Sequence, residues 1–198
     1  KEISATGMQL CLRDGDVQYK DADSLEGCLH WIGQSLEIKG EVKWVKGNRF
    51  GVAFQGGEPL YDTVRSFMAP SNIAKNMKLI PFLDLDYDTP NDLNLWLRAD
   101  GPSDLFLWKY KDEAISKFQL ILMNYFIEWE DGKGLTTGTV RTQRSLDMPL
   151  SEKDEVVFKV DEAQDDEKVQ FALQVVSEIG EEKLEKEGQA FIKRKLRS

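Results

Sequence analysis

Residues 40–54, Gly40-Glu-Val-Lys-Trp-Val-Lys-Gly-Asn-Arg-Phe-Gly-Val-Ala-Phe54, decide how the first part of the chain reads. Val42 and Trp44 alternate with Glu41 and Lys43, and Phe50, Val52 and Phe54 alternate on the way back. Successive side chains of a strand point to opposite faces, so a period of two marks a half-buried strand. Lys46-Gly47-Asn48 supplies the turn between the two arms, and the whole segment predicts a β-hairpin. Leu36 and Ile38 extend the first arm upstream, with Gly40 as the expected bulge or bend.

Outward from the hairpin, Met8, Leu10 and Leu12 predict another strand, followed by the turn Asp14-Gly15-Asp16. Leu29–Ile32 is a short apolar run broken by Gly33. Short strands joined by glycine turns suggest a small barrel or sandwich. After Gly56-Gly57, Glu58-Pro59 opens a helix. Leu60, Val64, Phe67 and Met68 form its apolar stripe, and Pro70 is expected to stop it, with a further turn over Asn72–Met77. The segment 81–92, PFLDLDYDTPND, reads as a boundary. Beyond it, strands are predicted at Leu93–Leu97, Leu105–Trp108, Phe118–Met123, Phe126–Trp129, Thr136–Val140 and Val156–Val160. A helical stripe of Val169, Leu173, Val176 and Ile179 follows, interrupted by Gly180 and Gly188, and a basic run closes the chain at Lys193–Arg197. The reading is therefore mainly β with α: a small barrel with a closing helix over 1–80, a linker over 81–92, and a second β-rich unit with a helical tail over 93–198. Charge divides the same way, with residues 1–84 at net −1 and residues 85–198 at net −8.

At 198 residues with 41% hydrophobic and 31% charged content, the chain has the make-up of a globular protein. A net charge of −9 argues against non-specific nucleic-acid binding, which relies on many Lys/Arg–phosphate contacts. No apolar run approaches the roughly 20 residues of a membrane-spanning helix. Lys1–Ser4 carries neither an initiator Met nor an apolar leader and reads as an internal start. Two cysteines, Cys11 and Cys28, do not make a disulfide framework, so a reducing cytoplasmic setting is expected, with both thiols facing the core. His30 is the single histidine and is expected on the solvent face of a strand.

Asp84, Asp86, Asp88 and Asp92 fall at positions 1, 3, 5 and 9 of a calcium-loop pattern. Thr89 replaces the turn glycine and Leu95 the closing glutamate, so an acidic linker is the better reading. Cys28-x-His30 with Cys11 gives three soft ligands where structural zinc wants four. Gly132-Lys133-Gly134 lacks the order of a phosphate loop and reads as a hairpin turn. The carboxylates are dispersed or lie in runs, without a catalytic pair. Trp96, Trp108 and Trp129 read mainly as core, with a shared groove as the sharper option.

The hairpin resembles the closing hairpin of bacterial PilZ domains, in which a Val-x-Trp strand turns into a Gly-Val-x-Phe strand and a helix follows. Ala22-Asp-Ser-Leu-Glu-Gly27 is similar to the family's Asp/Asn-x-Ser-x-x-Gly turn, with Ser24 and Gly27 in place. The likeness covers residues 8–70, about a third of the chain. It implies a small six-stranded barrel, and for many members binding of cyclic di-GMP with a signal passed to a partner protein. The chain departs from the pattern in three ways. Ala22 stands where Asp or Asn is usual, leaving Asp21 or Asp23 as substitutes. The Arg-x-x-x-Arg element that clamps the phosphates is missing before Ala22, where Arg13 is the one arginine. Gly27 to Trp44 is shorter than the usual spacing. Asp14, Asp16, Asp21 and Asp23 would repel a dianion in that setting.

The resemblance thus implies a non-enzymatic bacterial regulatory or adaptor protein acting through protein contacts, with a degenerate cyclic di-GMP site. Any ligand-binding residues are Arg13, Asp23, Ser24 and Gly27, with no catalytic residue, metal or cofactor. The alternative is a functional cyclic di-GMP receptor whose arginines come from upstream of Lys1 or from Arg13. A third reading, an enzyme built on the second unit with a metal at Asp84–Asp92, has the least behind it.

Overall fold

The hairpin read from residues 40–54 forms, and the first sheet is assembled around it. The computed structural model describes residues 2–12, 15–31, 34–81, 92–99, 103–143 and 155–198. In it β4 (Gln34–Lys46) and β5 (Arg49–Phe54) pair antiparallel about Gly47-Asn48, with Lys46 opposite Arg49 and Val42 opposite Val52. The register slips between Val42 and Trp44, so the bulge falls at Lys43 and not at Gly40. Gly40 answers a different demand. A Cβ there would collide with the Val52 side chain and approach the Ala53 carbonyl to 2.8 Å, so the two backbones lie too close for any larger residue.

β1 (Glu2–Ser4), β2 (Gly7–Cys11) and β3 (Ser24–Trp31) complete an antiparallel sheet of order β1-β2-β5-β4-β3. Met8, Leu25, Ile38, Val42, Phe50, Val52 and Phe54 project from one face of it. α1 (Gly57–Phe67) brings Val64 into the same core, with Leu60 and Tyr61 packed alongside. That is the expected helical stripe docking on the expected strands. The expected closed barrel is not what the ladders make. β1 and β3 stand at opposite ends of the order, and closure needs a staggered ladder between first and last strands. Among the described residues the sheet is open.

The chain divides into two units, Lys1–Asn72 and Ile73–Ser198. The division falls inside α2 (Pro70–Asn76). α1 ends at Phe67, short of Pro70 as expected, and the further turn expected over Asn72–Met77 is α2, in which Pro70 takes the first position, where its missing N–H costs no intrahelical bond. Most of the expected linker 81–92 lies outside the described residues, as do Asp84, Asp86 and Asp88.

The second unit is a seven-stranded antiparallel meander in which every strand pairs with its neighbours in sequence. Its strands are β6 (Lys78–Leu79), β7 (Leu93–Ala99), β8 (Ser103–Lys109), β9 (Ile115–Leu122), β10 (Tyr125–Glu130), β11 (Gly134–Gln143) and β12 (Glu155–Val160). Met123, expected at the end of a strand, sits in the β9–β10 turn with φ 59°. Leu97, Leu105, Leu120 and Ile127 stand opposite one another across four strands, and all are fully buried. α3 (Asp166–Glu178) and α4 (Lys186–Leu196) lie over this face, with Phe171 edge-on to Tyr125 at 5.8 Å and Phe191 edge-on to Trp129 at 5.1 Å. Gly188 lies within α4 and does not break it.

Side chains hold the helix ends. Asp165 caps α3 by accepting from the Glu167 and Lys168 amides. The Gln189 amide donates to the Val176 and Ile179 carbonyls, both at 2.9 Å, so α4 satisfies the end of α3. Lys183 donates to the Lys75 carbonyl at 2.8 Å at the end of α2.

Lys168 is the most buried ammonium described, its side chain 9% exposed. It donates to Asp161 at 2.6 Å, and Asp161 also accepts from the Thr137 hydroxyl at 2.8 Å. Burial pushes the Lys168 ammonium down, but Asp161 and Asp165 more than offset this and its pKa is raised. The Lys168 hydrogen bond holds Asp161 below its ordinary value of 3.8. The pair is therefore stabilising between those limits. Its Asp161 contribution is full above about pH 4 and is lost as pH falls through the depressed folded-state pKa. Asp161→Asn should cost about 2 kcal/mol at neutral pH, because Lys168 loses its nearest counter-charge. Denaturant titrations should show that difference shrinking at acid pH.

Candidate functional site

The residues singled out by the turn motif lie on β3, an edge strand. β3 pairs with β4 in unbroken register from Ser24 opposite Glu41 to Trp31 opposite Gln34. In a regular strand, residues three apart point to opposite faces. Ser24 therefore shares the outer face with Glu26, Cys28 and His30, while Gly27 shares the inner face with Leu25 and Leu29. The turn itself comes earlier, at Asp21-Ala22.

Asp23 is engaged within that turn. Its carboxylate accepts from the Lys20 amide at 2.7 Å, and its own amide donates to the Lys20 carbonyl at 3.1 Å. The Ala22 amide donates to the Val42 carbonyl at 2.8 Å, and the Val42 amide returns a bond to the Asp23 carbonyl at 2.9 Å. Ala22 adopts φ 69°, the left-handed region that Asn and Gly enter more cheaply. Gly27 is exposed, and a Cβ there would meet nothing within 4 Å, so neither space nor backbone conformation demands a glycine. Arg13 lies outside the described residues.

The two lysines on β4 nearest Ser24 are already paired. Across the ladder, Glu41 is bonded to Lys43, which holds its carboxyl below the usual range. Lys39 bonds Glu26 at 2.8 Å, and that bond raises the lysine. Arg49 is four residues along β5 from Ala53, the residue paired with Glu41, which is about 13 Å at strand rise. Among the described residues no guanidinium stands beside Ser24.

The bulge at Lys43 turns Trp44 onto the outer face, where it covers Gly51 and remains 41% exposed. A Cβ at Gly51 would collide with the indole, so glycine at this position seats the tryptophan. Sequence pattern had assigned Trp44 to the half-buried side, and the bulge is the reason it is not there. Cys28 is exposed and Cys11 half-buried, which corrects the expectation that both face the core. His30 is exposed, its Nδ1 2.7 Å from the Ser35 hydroxyl.

The three tryptophans of the second unit do not share a face. Trp96, Phe106 and Trp108 line the face opposite the helices, with ring centroids 5.2 and 5.8 Å apart. Trp129 lies on the helix-covered face, under the Lys195 ammonium at 4.3 Å. Asp104 is buried beside Trp96, accepting from the indole N–H at 2.7 Å and from Arg98 Nε at 3.0 Å. Burial raises its carboxyl above the ordinary value even with those donors present. Nothing in the residue pattern signalled this buried carboxylate. Among the described residues no three His, Cys, Asp or Glu side chains gather as metal ligands, and no helix is long and apolar enough to cross a membrane.

No known family model, curated protein or solved structure matches this chain.

Ala22→Gly should raise stability by about 1 kcal/mol, since glycine enters the left-handed region without a Cβ clash. Thermal unfolding should shift upward by about 2–4 °C, and a downward shift would show that the turn does not strain Ala22.

Proposed function

We propose that this protein is a non-enzymatic regulatory adaptor of the bacterial cytoplasm, with a PilZ-like front unit whose second-messenger site is degenerate, and that it acts by contact with other proteins. In this reading the open front sheet is a reduced form of the PilZ-type barrel. The observation that carries the degenerate-site part is the division of the motif on β3. Ser24 and Gly27 face opposite ways, and the Asp23 carboxylate is turned back onto the Lys20 amide. A dianionic dinucleotide needs convergent donors, above all guanidinium forks. Lys39 and Lys43, cations on the paired strand β4, are instead bonded to Glu26 and Glu41.

Contact with proteins is the mode of action this leaves, and the exposed Trp44 on the outer face suits it, since aromatic side chains dominate binding energy at protein interfaces. Calorimetric titration of the full chain with cyclic di-GMP should give no saturable heat at micromolar ligand. Tight one-to-one binding, abolished by Ser24→Ala, would overturn the reading and restore the receptor in which arginines from elsewhere complete the site.

A further inference from the structure

α4 carries acidic charge at its start and basic charge at its end along one exposed ridge. Glu187, Ala190, Arg194 and Arg197 are all exposed and follow one another at spacings of three, four and three, the interval of a helix–helix seam. Glu185, at the N-cap position, is also exposed but lies two residues before Glu187 and so off the ridge. None of these four charged residues has an ion-pair partner among the described residues, although Glu181–Lys186 and Glu182–Lys183 pair nearby. The Arg194 guanidinium rests over the Phe191 ring at 5.3 Å. Beside the acidic end, β7, β8 and the start of α4 line an open cavity of about 460 Å³, whose apolar part is Leu95, Leu107, Leu184 and Phe191 and whose charged lining includes Glu185 and Glu187 together with Lys109 and Lys183.

We propose that two copies of this chain associate through an antiparallel, twofold pairing of α4, each copy's acidic end and cavity mouth receiving the basic end of the other. A twofold axis through the middle of the helix sets complementary ends together twice over. With the crossing between Ala190 and Phe191, Glu187 faces Arg194 of the second copy, each about 5 Å from the crossing at helical rise. Arg197 reaches about 10 Å out, past Glu187 toward the cavity of the second copy. Ala190 at the centre of the ridge lets the two backbones approach. The aliphatic stem of Arg197 finds the apolar cavity floor while its guanidinium meets the glutamates. The two macrodipoles oppose, which adds to the pairing. Compensation of its own dipole explains why α4 is acidic at its start and basic at its end. It does not explain why the charges share one ridge with a small residue at the centre, unpaired among the described residues.

Each exposed ion pair is weak and screened by salt, so the dimer is of modest affinity and ionic-strength dependent. Sedimentation of the full chain from micromolar to millimolar concentration should show a reversible monomer–dimer equilibrium that weakens on going from about 50 to 500 mM salt. Glu187→Arg and Arg194→Glu should each weaken association at least tenfold, with circular dichroism showing both folded. An equimolar mixture of the two variants should associate more tightly than either alone, and the double variant E187R/R194E should regain the dimer. A monomer at millimolar concentration and low salt, single variants that dimerise like the parent, or a mixture without recovery would each overturn the proposal.

Discussion

Val42 and Val52 meet directly across β4 and β5, and the front unit is organised by that contact. Both are buried, and on their side of the sheet lie Ile38, Phe50 and Phe54. Burying side chains of this size is worth about 1.5–3 kcal/mol each, which is what holds two long strands in one register. A slip by one residue would carry the whole apolar set to the other face. Gly40 permits the close backbone approach on one side of this pair, and the bulge at Lys43 releases the strand on the other. Trp44 is a consequence: once the register is held at Val42, the extra residue leaves the indole no place but the outer face over Gly51.

The second unit meets a different constraint. An antiparallel sheet with one apolar face must be covered, and helices from the same stretch of chain do the covering. α3 and α4 are anchored by polar contacts as much as by burial. Lys168, Asp161 and Thr137 tie the start of α3 to β11 and to the residue following β12, while Gln189 closes its end. Each of these side chains satisfies a group that burial would otherwise leave costly.

The elements that were legible in sequence are those with clean alternation. The β4–β5 hairpin and α1 were readable because their apolar positions recur at period two or 3.6, and β7 to β10 because short apolar runs are bounded by turn residues, although the bulge at Lys43 hid the true side of Trp44. β3 was only glimpsed as Leu29–Ile32, since Gly27 and Cys28 blur the alternation between Leu25 and Leu29. Cysteine's average preference for the interior pointed Cys28 inward, whereas strand parity puts it with Ser24 and His30. Ser24 and Gly27, matched to a turn motif in the sequence, lie on β3, where a spacing of three sets them on opposite faces. The Lys183 and Gln189 helix clamps had no local signature, because their partners are carbonyls on other elements. Asp104 looked like any strand carboxylate until Trp96 and Arg98 folded over it.

The meander order of the second unit also bears on how it folds. Because each strand hydrogen-bonds only to the strands before and after it in the chain, β7 to β11 can be laid down hairpin by hairpin, each step closing a short loop. Such topology keeps contact order low, so ordering of the sheet is local and quick for a β structure. The slow step is then the last one, when α3 and α4 return over β10 and the greasy face leaves water.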